Sequence, residues 1–183
     1  MTKLLSLGEL LIDMLPQDSQ NSAYLPIPGG APANVAVGYA KLGGNAAFCG
    51  GMGDDYFAKQ LTNALEQYNV GTEYLFTIEG AQTAMVIVSL DESGERSFNF
   101  YRHQTADLLL TSEHLNRINW DELSTLHFCS NTLTNSAIAQ TTEYALKLAK
   151  NNHKLVSFDV NLRYSLWQSS NEIEQSVQAC FAY

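Results

Sequence analysis

The sequence has little of what disulfide-rich, nucleic-acid-binding or membrane-spanning proteins require. Its 183 residues include three cysteines, none in a CxxC pair and each in an apolar stretch, which is typical of reduced core thiols. Ten lysines and arginines oppose 19 aspartates and glutamates, so the net charge of −9 repels phosphate backbones and anionic membranes. No apolar run could cross a bilayer, and no signal-peptide cleavage site follows the apolar N-terminus. We therefore expect a cytoplasmic protein that binds neither nucleic acid nor membrane.

The remaining composition, 45% hydrophobic and 10% aromatic, is that of a folded globular chain. Short apolar runs typical of buried strands alternate with stripes of apolar residues at helical spacing. Strands are predicted at 3–7, 46–49, 126–130 and 155–160, and helices at 34–42, 56–68, 136–150 and 172–183. This alternation predicts an α/β fold, a mostly parallel sheet with helices on both faces.

One segment departs from that alternation. Residues 83–90 are rich in β-branched side chains, residues 97–102 alternate in polarity, and the polar stretch 91–96 between them contains a glycine. This pattern predicts an antiparallel hairpin, which in an α/β chain usually forms a small cover over the parallel core.

The stretch Pro28-Gly29-Gly30-Ala31-Pro32-Ala33-Asn34 precedes a predicted helix. Paired glycines let a ligand approach the backbone closely and leave the amides of the helix start free. The Asn34 amide both donates and accepts, which suits a polyhydroxylated ligand such as a sugar. A plain glycine turn with Asn34 as helix cap is the alternative.

Other carboxylates stand at strand ends. Asp13 follows the first strand, where ligands bind in open α/β sheets, although a loop Asx turn explains it equally well. Asp54 and Asp55 are interpreted as caps of the following helix rather than as metal ligands.

A second polar group follows the last predicted strand. Asp159, Asn161 and Arg163 share one face if the strand continues, which sets a carboxylate, an amide and a guanidinium side by side. Such a group could hold phosphate or sugar hydroxyls, and a salt-bridged strand end is the alternative. The four histidines have no metal-ligand spacing, so no metal site is predicted.

Together these segments resemble the N-terminal part of the ribokinase-like (PfkB) family of sugar kinases, and most of all its bacterial fructokinases. The matching stretches, in order along the chain, are 8–13 (GELLID), 29–36 (GGAPANVA), 41–44 (KLGG), 51–55 (GMGDD), 94–98 (GERSF) and 158–167 (FDVNLRYSLW).

The resemblance implies a ribokinase-like parallel sheet flanked by helices, with a small β-sheet lid whose strands lie at about 14–28 and 83–102. It makes 1–183 the sugar-binding part of the kinase domain. The implied sugar-binding residues are Asp13, Gly29, Gly30, Asn34, Phe100, Arg102, Asn161 and Arg163. Asp159, Asn161 and Arg163 are implied to lie near the phosphates.

The family reaction transfers the γ-phosphoryl group of ATP to a sugar hydroxyl, with Mg²⁺ on the phosphates and with K⁺ as a further cofactor. Its catalytic base lies in a Gly-Ala-Gly-Asp segment that these residues lack, so no catalytic residue is assigned and the base is expected beyond Tyr183. The 183 residues alone are thus expected to be a truncated, inactive kinase.

The resemblance favours fructose as the substrate and a homodimer formed through the lid. The alternatives are a non-catalytic sugar-binding or dimerisation module and, within the family, an aminoimidazole riboside kinase or a 2-keto-3-deoxygluconate kinase.

Overall fold

Two separate sheets make up the β-structure of residues 3–91 and 93–183, which the computed structural model describes. A five-stranded sheet has the order β5-β4-β1-β8-β9, and a four-stranded sheet has the order β3-β2-β6-β7. The strands are β1 (Lys3–Leu7), β2 (Leu11–Pro16), β3 (Tyr24–Gly29), β4 (Asn45–Met52), β5 (Gly71–Thr77), β6 (Met85–Leu90), β7 (Arg96–Tyr101), β8 (Leu123–Cys129) and β9 (Leu155–Asp159).

The five-stranded sheet is parallel at every pairing, as the alternation of strands and helices predicts. Its central strand β1 is buried on both faces: Leu4 packs into one hydrophobic core, while Leu5 and Leu7 pack into the other. A strand that contacts helices on both sides needs apolar residues at consecutive positions, which is why this run lacks the alternation of a half-exposed strand. The predicted α/β class with helices on both faces is confirmed.

The helices are α1 (Ala31–Lys41), α2 (Tyr56–Gln67), α3 (Ser112–Leu115), α4 (Ser136–Asn151) and α5 (Ser170–Cys180). The predicted start of α1 at Asn34 was wrong, because Gly30 is the cap and Pro32 occupies the first turn. Proline suits that turn, since its fixed φ is helical and its missing N–H would have had no partner there. Asn34 is therefore inside the helix and does not cap it.

The four-stranded sheet contains the predicted hairpin. Strands β6 and β7 pair antiparallel from Met85↔Tyr101 to Leu90↔Arg96, and Glu92 of the connecting turn lies outside the described residues. Strand β2 continues this sheet by pairing parallel to β6 and antiparallel to β3. Asp13 thus follows β1, as predicted, but lies within strand β2, so the alternative of a loop Asx turn was wrong.

The last strand, β9, differs from its prediction as a buried strand. It lies at an edge of the sheet and pairs only with β8 in the described structure, with Leu155 67% exposed and the rest of the strand half-buried or exposed. An apolar run has the same sequence pattern whether or not another layer covers it, so the pattern could not reveal this exposure.

The three cysteines are free and buried, as predicted. Among the described residues, no helix combines the length and the apolarity that a membrane span requires.

Candidate functional site

A cavity of about 190 Å³ lies between the two sheets, at the carboxyl ends of the parallel strands. Residues that follow β1, β8 and β9 form one side, the start of α1 forms another, and the four-stranded sheet covers them. Ligands of open α/β sheets bind at this edge, because the loops that leave parallel strands converge there. Its lining consists of Glu9, Leu11, Asp13, Gly30, Ala31, Asn34, Val86, Phe98, Phe100, Asn131, Asn161 and Arg163.

Asp13 projects into the cavity from β2 of the covering sheet. Its carboxyl is half-buried, and burial raises its pKa above the ordinary value. Desolvation of a carboxylate costs free energy unless hydrogen bonds replace the lost water. Asp13 can therefore accept hydrogen bonds from the hydroxyl groups of a ligand.

The two glycines before α1 are needed for space, in two different ways. A Cβ atom at Gly29 would overlap the Asp13 carboxylate, and one at Gly30 would overlap the carbonyl oxygen of Glu9. Gly30 also has a φ of 109°, which side-chain-bearing residues rarely adopt. Gly30 lines the cavity with Asn34, whereas Gly29 supports Asp13 from behind and lines a neighbouring cavity.

Two phenylalanines of β7 supply the apolar part of the site. The predicted residue Phe100 packs against the small apolar cluster of Leu11, Ala84 and Val86 and presents part of its ring to the cavity. Phe98 lines the cavity as well, two residues earlier on the same face of the strand. Aromatic faces of this kind pack well against the C–H surface of a sugar.

Arg102 does not line the cavity, although it was predicted among the sugar-binding residues. Its Nε donates to Asp107 Oδ2 at 2.5 Å and its Nη1 donates to the carbonyl oxygen of Asn131 at 3.0 Å. Burial would lower the pKa of this guanidinium, but the charges of Asp107 and Glu9 outweigh that effect and raise it. Arg102 is thus a buried cation behind the cavity wall, and Asp107, held by Thr105 at 2.6 Å, is its partner.

Glu9 and Asn131 form the floor of the cavity, and the sequence argument missed both. Asn131 Nδ2 donates to Glu9 Oε1 at 2.8 Å, and the thiol of Cys129 lies 3.6 Å from both Glu9 oxygens. Complete burial raises the pKa of the Glu9 carboxyl, while nearby Arg102 and the Asn131 hydrogen bond act in the opposite direction. The available signal in the sequence was a lone carboxylate in the otherwise uncharged run 4–12, all of which the structure buries.

Asn161 and Arg163 lie at the mouth of the cavity, and Asp159 does not line it. Asp159 Oδ1 instead accepts the backbone N–H of Asn161 at 3.0 Å, an Asx turn that helps to hold Asn161 at its positive φ of 32°. Arg163 is exposed and forms no ion pair with any described residue. Its charge is therefore free to meet an anionic group at the mouth.

Among the described residues, no group of three or more histidine, cysteine, aspartate or glutamate side chains could hold a metal ion.

The profile that describes the pfkB family of carbohydrate kinases matches residues 1–183. The chain belongs to this family. A fructokinase of Vibrio alginolyticus is 39% identical over 175 residues, which cover 96% of this chain and 56% of that protein.

Solved pfkB-family structures agree with the fold. The ATP-bound fructokinase of Xylella fastidiosa has a TM-score of 0.88 and 38% identity, covering 96% of this chain and 55% of its own. A fructokinase of Vibrio cholerae O395, in a form with bound fructose, ADP and calcium, has a TM-score of 0.86 and 35% identity, covering 99% and 57%. The chain thus spans about half the length of the relatives it matches, and its fold is ribokinase-like.

Proposed function

We propose that this pfkB-family chain binds the sugar in an ATP-dependent phosphorylation of a sugar hydroxyl, with fructose as the substrate. The observation that carries the proposal is the cavity between the sheets, which joins two carboxylates and three amides to an aromatic face. Sugars present hydroxyl groups on their edges and C–H groups on their faces, and this cavity offers partners for both. We choose fructose over other sugars because the similar proteins are named fructokinases.

In this proposal Asp13 accepts hydrogen bonds from two hydroxyls and Asn34 binds another, while Phe100 packs on the face of the ring. The glycine pair has a different task, because Gly29 and Gly30 keep this corner free of side chains. Arg102 acts from behind the wall and does not touch the sugar. These roles agree with the position of each group around the cavity.

Asn161 and Arg163 are proposed to meet the phosphates of ATP at the mouth of the cavity, with Asp159 shaping their loop. Arg163 is suited to this role because its guanidinium is exposed and forms no ion pair with any described residue. We assign no catalytic base to these 183 residues, since Asp13 faces the sugar and Glu9 is bonded to Asn131. We assign no ligand of Mg²⁺ or K⁺ to the described residues.

Dimerisation through the four-stranded sheet is also proposed. Pairing register places Leu15 and Leu25 opposite each other, on the same face as Asp13. Leu25 is 46% exposed and Phe98 45% exposed, so apolar surface continues from the cavity along this face. A second copy would cover it, as exposed apolar patches of this kind usually require.

The cytoplasm is the proposed location.

The test is calorimetric titration with fructose, with and without ATP, beside a coupled assay for ADP release. The panel includes 2-keto-3-deoxygluconate and aminoimidazole riboside, the substrates of the alternative kinases. The longest product of the reading frame is assayed beside the 183-residue chain. We expect fructose to bind most tightly, and turnover only in a product that supplies a catalytic base. Fructose binding without turnover in the longest product would favour the non-catalytic module.

The Asn34→Ala variant tests whether this cavity is the binding site. Loss of the hydrogen-bonding amide of Asn34 should weaken fructose binding about tenfold. Asn63→Ala is the matched control, because Asn63 is an exposed asparagine of α2 outside the cavity lining. Equal affinities of the two variants would place the sugar elsewhere.

A further inference from the structure

The floor of the cavity contains a polar atom that has no partner. Asn131 is 6% exposed, its Oδ1 is buried, and no hydrogen-bond donor among the described residues reaches this oxygen. A buried amide oxygen without a donor costs free energy, so such atoms usually mark a bound water or a ligand contact. Asn131 lines the cavity, so a donor that enters it can satisfy this atom.

Two contacts hold Asn131 in place. Its side-chain Nδ2 donates to Glu9 Oε1 at 2.8 Å, and its backbone carbonyl oxygen accepts from Arg102 Nη1 at 3.0 Å. Glu9 is 1% exposed, so this contact is shielded from water. Because the amide directs its NH₂ group toward Glu9 Oε1, its oxygen lies on the other side.

We propose that Glu9 is a positioning residue that fixes the Asn131 amide so that its Oδ1 accepts a hydrogen bond from a sugar hydroxyl. The inference rests on the proposed function and deepens it, because it names a specificity contact of the same cavity. An acceptor held in one orientation selects a ligand that donates. A sugar with fluorine at that position keeps its shape but loses the donated hydrogen, so the site should reject it.

The binding test titrates fructose and its monofluorinated deoxy analogues into wild type, Glu9→Gln and Cys129→Ala. In wild type, fluorine at one position should weaken binding about tenfold, the worth of one hydrogen bond. In Glu9→Gln the new side-chain amide can donate to Asn131 Oδ1. The Asn131 amide can then rotate so that its Nδ2 faces the cavity. We expect fructose to bind about tenfold more weakly there, with no further loss on fluorination.

Cys129→Ala is the matched control, because it removes the thiol beside Glu9 and leaves the Glu9–Asn131 hydrogen bond. It should keep both the affinity and the fluorine penalty of wild type, and thermal melting checks that each variant is folded. A Glu9→Gln variant that keeps the wild-type fluorine penalty overturns the inference while the proposed function stands. Absence of fructose binding in wild type overturns the proposed function.

A measurement without sugar judges the positioning directly. In the ¹⁵N-labelled wild-type protein, the Asn131 NH₂ protons should exchange slowly with solvent and show nuclear Overhauser effects to the γ-methylene of Glu9. Rapid exchange without those effects would mean that the NH₂ group faces the cavity, and would overturn the inference whether or not fructose binds.

Discussion

Asp13 illustrates how a binding residue can reduce the stability of the fold that holds it. Burial raises the pKa of its carboxyl, so the folded chain binds this proton more tightly than the unfolded chain does. As pH rises through the window between the unfolded and the folded pKa, folding stability is lost, because the ionised group is less well solvated in the native state. At neutral pH the charged carboxylate therefore destabilises the empty cavity.

Asp13→Asn should separate binding from stability. We expect fructose affinity to fall at least tenfold, because an amide replaces one acceptor oxygen with a donor. The melting temperature at pH 7 should equal or exceed that of wild type, and any excess should shrink in acid, where Asp13 becomes neutral. Calorimetric titration and thermal melts from pH 4 to pH 8 measure both. A clear drop in melting temperature at pH 7 would contradict the assignment.

Gly30 is required by its backbone and by its surroundings. Gly30→Ala should destabilise the chain by about 1–3 kcal/mol, because its φ of 109° and the nearby Glu9 carbonyl leave no room for a methyl group. Gly38→Ala is the control within the same helix, since a Cβ atom there meets no other atom within 4 Å. Alanine should stabilise α1 at that position by about 0.5–1 kcal/mol. Urea denaturation of the two variants should give changes of opposite sign.

Asp55 caps helix α2 and also binds the segment that precedes β6 of the covering sheet. Asp55 Oδ1 accepts the N–H of Ala58 at 2.9 Å, and its Oδ2 accepts the N–H of Thr83 at 2.7 Å, just before β6. Partial burial acts to raise the pKa of this carboxyl, but the hydrogen bonds from Thr83 and Ala58 outweigh burial and lower it. Its stabilisation is thus present at neutral pH and is lost as pH falls through the folded pKa.

Asp55→Ala should lower the free energy of unfolding by about 2 kcal/mol, from the lost cap and the unpaired Thr83 amide. Asp54→Ala, the adjacent exposed aspartate, is the control and should change it by less than about 0.5 kcal/mol. The difference between Asp55→Ala and wild type should narrow below pH 4 in chemical denaturation. If both variants unfold alike, the capping role is wrong.

The predictions of helices and strands succeeded where local chemistry decides. The cap at Asp55 follows from a carboxylate before a helical stripe, and the β6–β7 hairpin follows from two strand-like runs around a polar turn. The predicted start of α1 was wrong because it did not allow for Pro32, which favours the first turn of a helix. The predictions also failed for β9, because an apolar run does not reveal whether another layer covers it.

For the chain as a whole, the proposed dimer is open to a direct test. Leu25→Asp places a charge on the exposed apolar face of the four-stranded sheet, where burying it against a second copy is costly. Wild type should have twice the monomer mass in light scattering after size exclusion, and the variant should have the monomer mass. Leu42→Asp is the control, since Leu42 lies just beyond α1 and is 90% exposed. A monomeric wild type would exclude this dimer.

The order of strands and helices, the glycine pair and the polar residues after the strands are properties of neighbouring residues, so the sequence alone was sufficient to predict the α/β fold and half of the cavity lining. Burial and long-range pairing are not properties of neighbours. Glu9 meets Asn131 across 122 positions, and Arg102 pairs with Asp107 and does not line the cavity. Folding removes water from these groups, and each buried group then needs a partner that is distant in the sequence. The floor of the site could therefore be identified only from the tertiary structure.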